Sequence, residues 1–164
     1  MSEQSKDKIV ERGTQMAVLC LVLDQLHKFI MLEIFEFEQV KHVEVSSYFN
    51  LVMVWNRGIS FGMFQGFAYS NYFFMGFTTT IVLLLFFLMK SAKTKLEASG
   101  FGMIIGGASG NLIDRIRLDA VADFFDFHVA GKHWPAFNVA DSCVFIGAAL
   151  LILSTFKKDK KNEK

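Results

Sequence analysis

The chain has 164 residues, 52% of them hydrophobic, with 19 Phe against one Pro and a formal net charge of +1. That length allows one domain, the apolar excess excludes an ordinary soluble composition, and the near-neutral charge offers nucleic acid no basic footprint. No repeat suggests a solenoid, and the only biased stretch is the basic C-terminal tail.

Four segments read as membrane helices: 13–32, 69–89, 96–116 and 138–156. Each is near the ~20 residues that cross ~30 Å of hydrocarbon. The first has a basic lead-in of Lys6, Lys8 and Arg12, and it contains Asp24 and Lys28. Each such charge costs about 2.5–3.5 kcal/mol at a helix centre, which the apolar residues barely offset. Asp24 and Lys28 therefore lie toward one end or face a polar interior, and one turn apart they are placed to pair. With its apolar run interrupted and no small-x-small site after it, this segment reads as retained rather than cleaved. Cys20 and Cys143 both fall in apolar runs and read as buried thiols; two cysteines alone make no structural zinc site.

Between the first and second spans the chain is acidic, with Glu33, Glu36, Glu38 and Glu44. Residues 43–67 are rich in β-branched and aromatic residues and punctuated by Gly58 and Gly62, which predicts short strands. The second-to-third connection carries Lys90, Lys93 and Lys95, and the tail carries Lys157, Lys158, Lys160, Lys161 and Lys164. Four crossings put both on the same side as the N-terminal tail, and the positive-inside rule makes that side cytoplasmic. The acidic connection and the loop over 118–137 then lie outside. Trp55 and Trp134 fall in these outer segments, where an aromatic belt belongs.

The polar residues gather toward that outer face. Gly102, Gly106 and Gly110 recur one turn apart, a spacing for close helix packing. "GNLIDR" (110–115) follows, with Asn111, Asp114 and Arg115. Asp114 and Arg115 are consistent with a solvated helix end; Asn111, one turn deeper, needs a partner. "AVADFFDFH" (120–128) sets Asp123 and Asp126 among phenyl rings, where desolvation raises a carboxyl pKa. "FNVADS" (137–142) opens the fourth helix. Asn138 suits its N-cap, and Asp141 takes the third helical position as in a capping box, where the helix dipole favours negative charge. A capping role alone accounts for Asp141, and the spacing does not choose between Asp114, Asp123 and Asp126. Two carboxylates sharing a site cannot both ionise easily. One ionised and one protonated is a state suited to peptide hydrolysis.

Five fragments in order resemble one family. "DQLHK" (24–28), "NRGISFG" (56–62), "GNLIDR", "VADF" (121–124) and "FNVADS" are together similar to the motifs of the lipoprotein signal peptidases, the bacterial type II signal peptidases. The resemblance implies a mainly α membrane fold of four helices with a small extracytoplasmic β-sheet between helices 1 and 2. It implies a catalytic aspartate pair at Asp123 and Asp141. Asn56, Asn111, Arg115 and Asn138 would line the site, with Asp24, Lys28 and Asp114 in support. The implied substrate is a prolipoprotein whose lipobox cysteine carries diacylglycerol, cleaved just before that cysteine. No metal or cofactor is implied. The expected setting is the bacterial inner membrane, with both termini cytoplasmic and the active site near the outer face. The expected partners are prolipoproteins and membrane lipid, not nucleic acid, and the expected working unit is a monomer. His27 and Ile59 depart from the usual motif residues and bear on substrate fit.

Other chemistries fit less well. "GASG" (107–110) matches the nucleophile motif of rhomboid proteases, but no His on the fourth helix is there to activate the Ser. His128, His133 and Asp126 are possible metal ligands without an H-E-x-x-H helix. A proton-coupled transporter would use Asp24 and Lys28 as a relay, but the polar residues do not continue across the inner halves of the helices. A non-enzymatic assembly subunit, with the glycine spacing as its interface, is the remaining alternative.

Overall fold

The computed structural model describes residues 2–58 and 70–162. The first helix, α1, runs Glu3–Phe29 and passes into a π-helical turn, Ile30–Ile34. A short helix α2 (Phe37–Val40) follows, flanked by Glu36 and Lys41, both at positive φ (46° and 63°). These two turns redirect the chain into strands β1 (His42–Ser46) and β2 (Phe49–Asn56). Then come α3 (Ser70–Met89), α4 (Lys95–Leu118), β3 (Val121–Val129), β4 (Lys132–His133) and α5 (Val139–Asn162). The second half of the expected β segment, 59–67, together with residue 69, lies outside the described residues.

Helix α4 is central and packs against α1, α3 and α5. Its glycines explain how. A Cβ on Gly102 would strike the Gly13 carbonyl oxygen, and one on Gly106 would strike that of Ala17. The Gly102–Gly106–Gly110 row thus faces α1 at backbone contact, the packing its spacing predicts. Gly107, on the opposite side, meets the Ala140 carbonyl oxygen of α5 in the same way. Backbones this close let short polar side chains on three helices reach one another.

Two apolar clusters bracket these contacts. Ile9, Met89, Ala92, Ala98 and Ile105 close one end of the bundle. Met31, Phe37, Ala122 and Phe124 join the sheet to the far end of α1. Asn138, Asp123 and Asp114 lie toward this second cluster, where Asn138 and Asp114 bond the backbone of Ala122.

The sheet is antiparallel, in the order β1-β2-β3-β4. Half of its strands come from after α4, which corrects the expectation that it lies between the first two spans. The stretch over 120–128 reads as a loop because its aspartates are three residues apart and break the period of two. It is a strand because β2 offers it a full edge, with Leu51 opposite Phe125 and Val54 opposite Asp123 across a register shift. Phe137 then clamps this strand: its carbonyl accepts from the N–H groups of Phe124 and Phe125 (3.0 and 2.8 Å), and its own N–H donates to the Phe125 carbonyl (3.1 Å). The sheet thereby sets the point at which α5 begins.

Two of the described helices are long and apolar enough to cross a membrane, α3 over Asn71–Met89 and α5 over Val139–Phe156. Helices α1 and α4, also expected as spans, are more polar because they carry Asp24, Lys28, Asn111, Asp114 and Arg115.

Candidate active site

Helix α5 starts at a reciprocal cap. Asn138 Oδ1 accepts from the Asp141 N–H at 3.0 Å, and Asp141 Oδ2 accepts from the Asn138 N–H at 3.1 Å. This is the capping box expected from "FNVADS", with Asp in the Glu position. A third donor of the first turn, the Ala140 N–H, is taken by Asp24 Oδ1 of α1 at 2.9 Å.

The Asn138 side chain does more than cap. Its Nδ2 lies 2.7 Å from Asp123 Oδ1, 3.0 Å from Asn111 Oδ1 and 3.2 Å from the Ala122 carbonyl. Asn111 Nδ2 in turn donates to Asp141 Oδ1 at 2.8 Å. Asn56, at the end of β2, donates to Asp123 Oδ2 at 3.1 Å and accepts from the Gly58 N–H through its own Oδ1. Asp123 and Asp141 are therefore tied together through two amides, Asn138 and Asn111.

Beneath them lies a charged layer. Lys28 Nζ is 2.8 Å from Asp24 Oδ2, 2.7 Å from Asp114 Oδ2 and 3.0 Å from Asn111 Oδ1. All three charged groups are buried. Their geometry meets the condition for burying charge at all, since each is paired and further hydrogen-bonded. Asp114 also accepts from the Ala122 N–H at 3.4 Å, just before Asp123 in β3.

This arrangement sorts the aspartates that spacing alone left open. Asp24 and Asp114 share Lys28. Asp126 faces His133 Nδ1 at 2.9 Å and accepts from Asn50 at 3.0 Å. Among the described residues, only amide donors hydrogen-bond Asp123 and Asp141. Asp123 is 1% exposed. Burial pushes its carboxyl up to about 7, and the nearby Asp141 charge pushes the same way, against the Asn56 and Asn138 hydrogen bonds and the Lys28 charge. At Asp126 burial also raises the pKa, but the His133 and Asn50 hydrogen bonds together with the His133 and His128 charges hold the carboxyl below its usual range.

Arg115 lies beside the site, with the carboxyls of Asp123, Asp141 and Asp114 as its charged neighbours. Its Nη2 donates to the Gly58 carbonyl at 3.1 Å, and its guanidinium lies 5.4 Å from the Phe74 ring centre. It fastens the exit of β2 to α3 and α4 and makes no hydrogen bond to either aspartate among the described residues. His27 packs against the rings of Phe124 and Phe125 at 5.4 and 5.1 Å. Ile59 lies outside the described residues.

One site neighbour is absent from the sequence reading. Gln25 Nε2 bonds Asp24 Oδ2 (3.2 Å), the Gly110 carbonyl (3.2 Å) and Asp114 Oδ1 (3.1 Å). A polar side chain inside a membrane segment was its signal, masked by the stronger charges on either side.

Beside Asp141 opens an apolar groove of about 600 Å³, walled by Trp134, Pro135, Phe137, Phe145 and Ile146. Among the described residues no group of three or more His, Cys, Asp or Glu side chains is arranged to hold a metal ion.

Comparison with known proteins supplies an independent line. A family model described as signal peptidase (SPase) II matches residues 16–157. The lipoprotein signal peptidase of Aeromonas hydrophila is 40% identical over 156 residues, covering 93% of this chain and 92% of the relative. That of Beijerinckia indica is 39% identical over 149 residues, covering 90% and 89%. Among solved structures, a bacterial membrane enzyme determined by the in meso method at 2.3 Å resolution superposes with a TM-score of 0.77 at 28% identity, covering 93% of this chain and 91% of that one.

Proposed function

The chain belongs to the signal peptidase II family, and from that premise we propose that it is an aspartic endopeptidase in which Asp123 and Asp141 cleave signal peptides from lipoprotein precursors. The observation that carries this reading is the partition of carboxylates. Asp24 and Asp114 are paired with a buried cation, whereas Asp123 and Asp141 are held by amides. An amide N–H orients a carboxyl oxygen without adding a full positive charge. A carboxyl so held can gain and lose a proton near neutral pH, as general acid–base work requires.

The roles follow from the surroundings. Asp123, with its pKa near 7, holds the shared proton and gives it to the scissile carbonyl oxygen. Asp141, at a helix N-terminus that favours negative charge, takes a proton from the attacking water. Two carboxyls in one site share a proton in this way because both cannot ionise together. The amides of Asn138 and Asn111 keep the pair aligned. The Lys28 layer braces Asn111 from below. The groove beside Asp141 receives the apolar part of the substrate, a prolipoprotein whose diacylglyceryl cysteine follows the cleaved bond.

We place four helices across the inner membrane, with both termini cytoplasmic and the aspartates near the outer face. Support comes from the two apolar spans, from the burial of the α1 and α4 charges inside the bundle, and from the Lys and Arg bias of the connections. The test is cleavage of a lipidated precursor by the purified protein, with Asp123→Asn and Asp141→Asn as separate variants. Both should fold and lose cleavage. Near wild-type turnover by either one would remove it from the proposed pair.

A further inference from the structure

The end of the bundle far from the aspartates carries a second assembly of charge and apolar surface. A cavity of about 490 Å³ lies where α1 meets the start of α4, walled by Lys8, Arg12 and Lys95 together with Glu11 and Gln15. Glu11 Oε1 accepts from Gln15 Nε2 at 3.2 Å. None of the three cations has an ion-pair partner among the described residues. Their neighbour Lys90 differs, since its ammonium lies over the Phe86 ring at 4.6 Å.

The cavity continues along α1. Glu11 and Gln15 also border a second groove, of about 710 Å³, which runs on past Val18 and Leu19 to Val22. Those three apolar side chains are about half exposed. From Arg12 to Val22 the helix rises about 15 Å, which is the hydrocarbon depth of one leaflet. A cluster of cations thus sits at the head of an apolar track one leaflet deep.

We propose that this surface is a binding site for an anionic glycerophospholipid of the inner leaflet. The phosphate would lie among Lys8, Arg12 and Lys95, and an acyl chain along Val18 to Val22. The inference rests on the membrane placement above and is independent of the catalytic assignment. Two features favour a lipid over a free anion: the apolar track adjoins the cations, and juxtamembrane basic groups attract anionic lipid. The cavity is lined from both α1 and α4, so an occupied site stabilises the helix pair that carries Asp24, Lys28 and Asp114 at its other end.

The experiment is native mass spectrometry of the full-length purified protein, titrated with phosphatidylglycerol or with phosphatidylcholine of the same chains. Phosphatidylglycerol should remain as a discrete one-lipid adduct, and phosphatidylcholine should not. Lys8→Gln/Arg12→Gln/Lys95→Gln should weaken that adduct about 100-fold, at roughly a fivefold loss per charge. Lys90→Gln/Lys93→Gln, which also removes charge from that end, should leave it within twofold. The triple variant should keep precursor cleavage in neutral detergent, which shows that it is folded. Equal binding of both lipids, or equal loss in the two sets of variants, would overturn the proposal. So would glycerol phosphate displacing the lipid at comparable concentration, which would mean a simple anion site.

Discussion

Asn138 and Asp141 hold each other by two reciprocal hydrogen bonds, 3.0 and 3.1 Å, across the first turn of α5. The same Asn138 side chain reaches Asp123 at 2.7 Å. One residue therefore starts the helix and aligns both carboxyls, and these jobs are separable. Asn138→Ser should keep a cap, holding stability within about 1 kcal/mol, while turnover falls at least 100-fold because Ser is too short to reach Asp123. Asn138→Ala should lose both. Thermal unfolding and kcat on a lipidated precursor read the two effects.

The pH dependence follows from Asp123. Its folded pKa, about 7, lies above the ordinary carboxyl value near 4. A carboxyl raised on folding contributes stability that is full below its unfolded pKa and is lost as pH rises through the folded value. Melting temperature should therefore fall between about pH 4 and 7 in the wild type and level off above that. It should fall less in Asp123→Asn, which ends more stable at pH 8. Cleavage rate should decline above about pH 7 as the shared proton is lost, with the apparent pKa values belonging to the pair.

Lys28 neutralises two buried carboxylates. Lys28→Met leaves both without a cation, and breaking a buried pair of this kind costs about 3–5 kcal/mol. Replacing the whole set, as Asp24→Asn/Lys28→Met/Asp114→Asn, should recover most of that stability in denaturation curves. Cleavage should not return, because Asn111 then lacks the charge at 3.0 Å that braces it.

Two glycines separate space from helix propensity. A Cβ on Gly110 would meet Asp24 Oδ2, whereas one on Gly76 would meet nothing within 4 Å. Gly76→Ala should be neutral or stabilise by up to about 1 kcal/mol. Gly110→Ala should push Asp24 from the Ala140 N–H, destabilise the chain and cut cleavage at least tenfold.

The helices and the cap were legible because they rest on local signals: apolar run length, glycine spacing, and Asn138 three residues before Asp141. Strand β3 was not, since its pairing with β2 joins residues such as Asn50 and Asp126 that are distant in sequence. The choice of Asp123 over Asp114 and Asp126 came from motif resemblance alone. What separates the three carboxyls physically is the partner each meets, Lys28, His133 or an amide, and that is decided only by tertiary packing. Arg115 shows the same limit: its motif position suggested the site wall, and packing sets it among Asp114, Asp123 and Asp141 while its hydrogen bond goes to the backbone at Gly58.

The bond from the Ala140 N–H to Asp24 Oδ1 spans 116 positions, from the first long helix to the last. During synthesis Asp24, Lys28 and Asp114 emerge well before Asp141 and the turn that orients it. A nascent chain lacking α5 has only one of the two proposed acids and no Asn138 to align it. On the proposed assignment, proteolytic competence would arrive only when α5 is in place, and the half-made chain would be inert toward its neighbours.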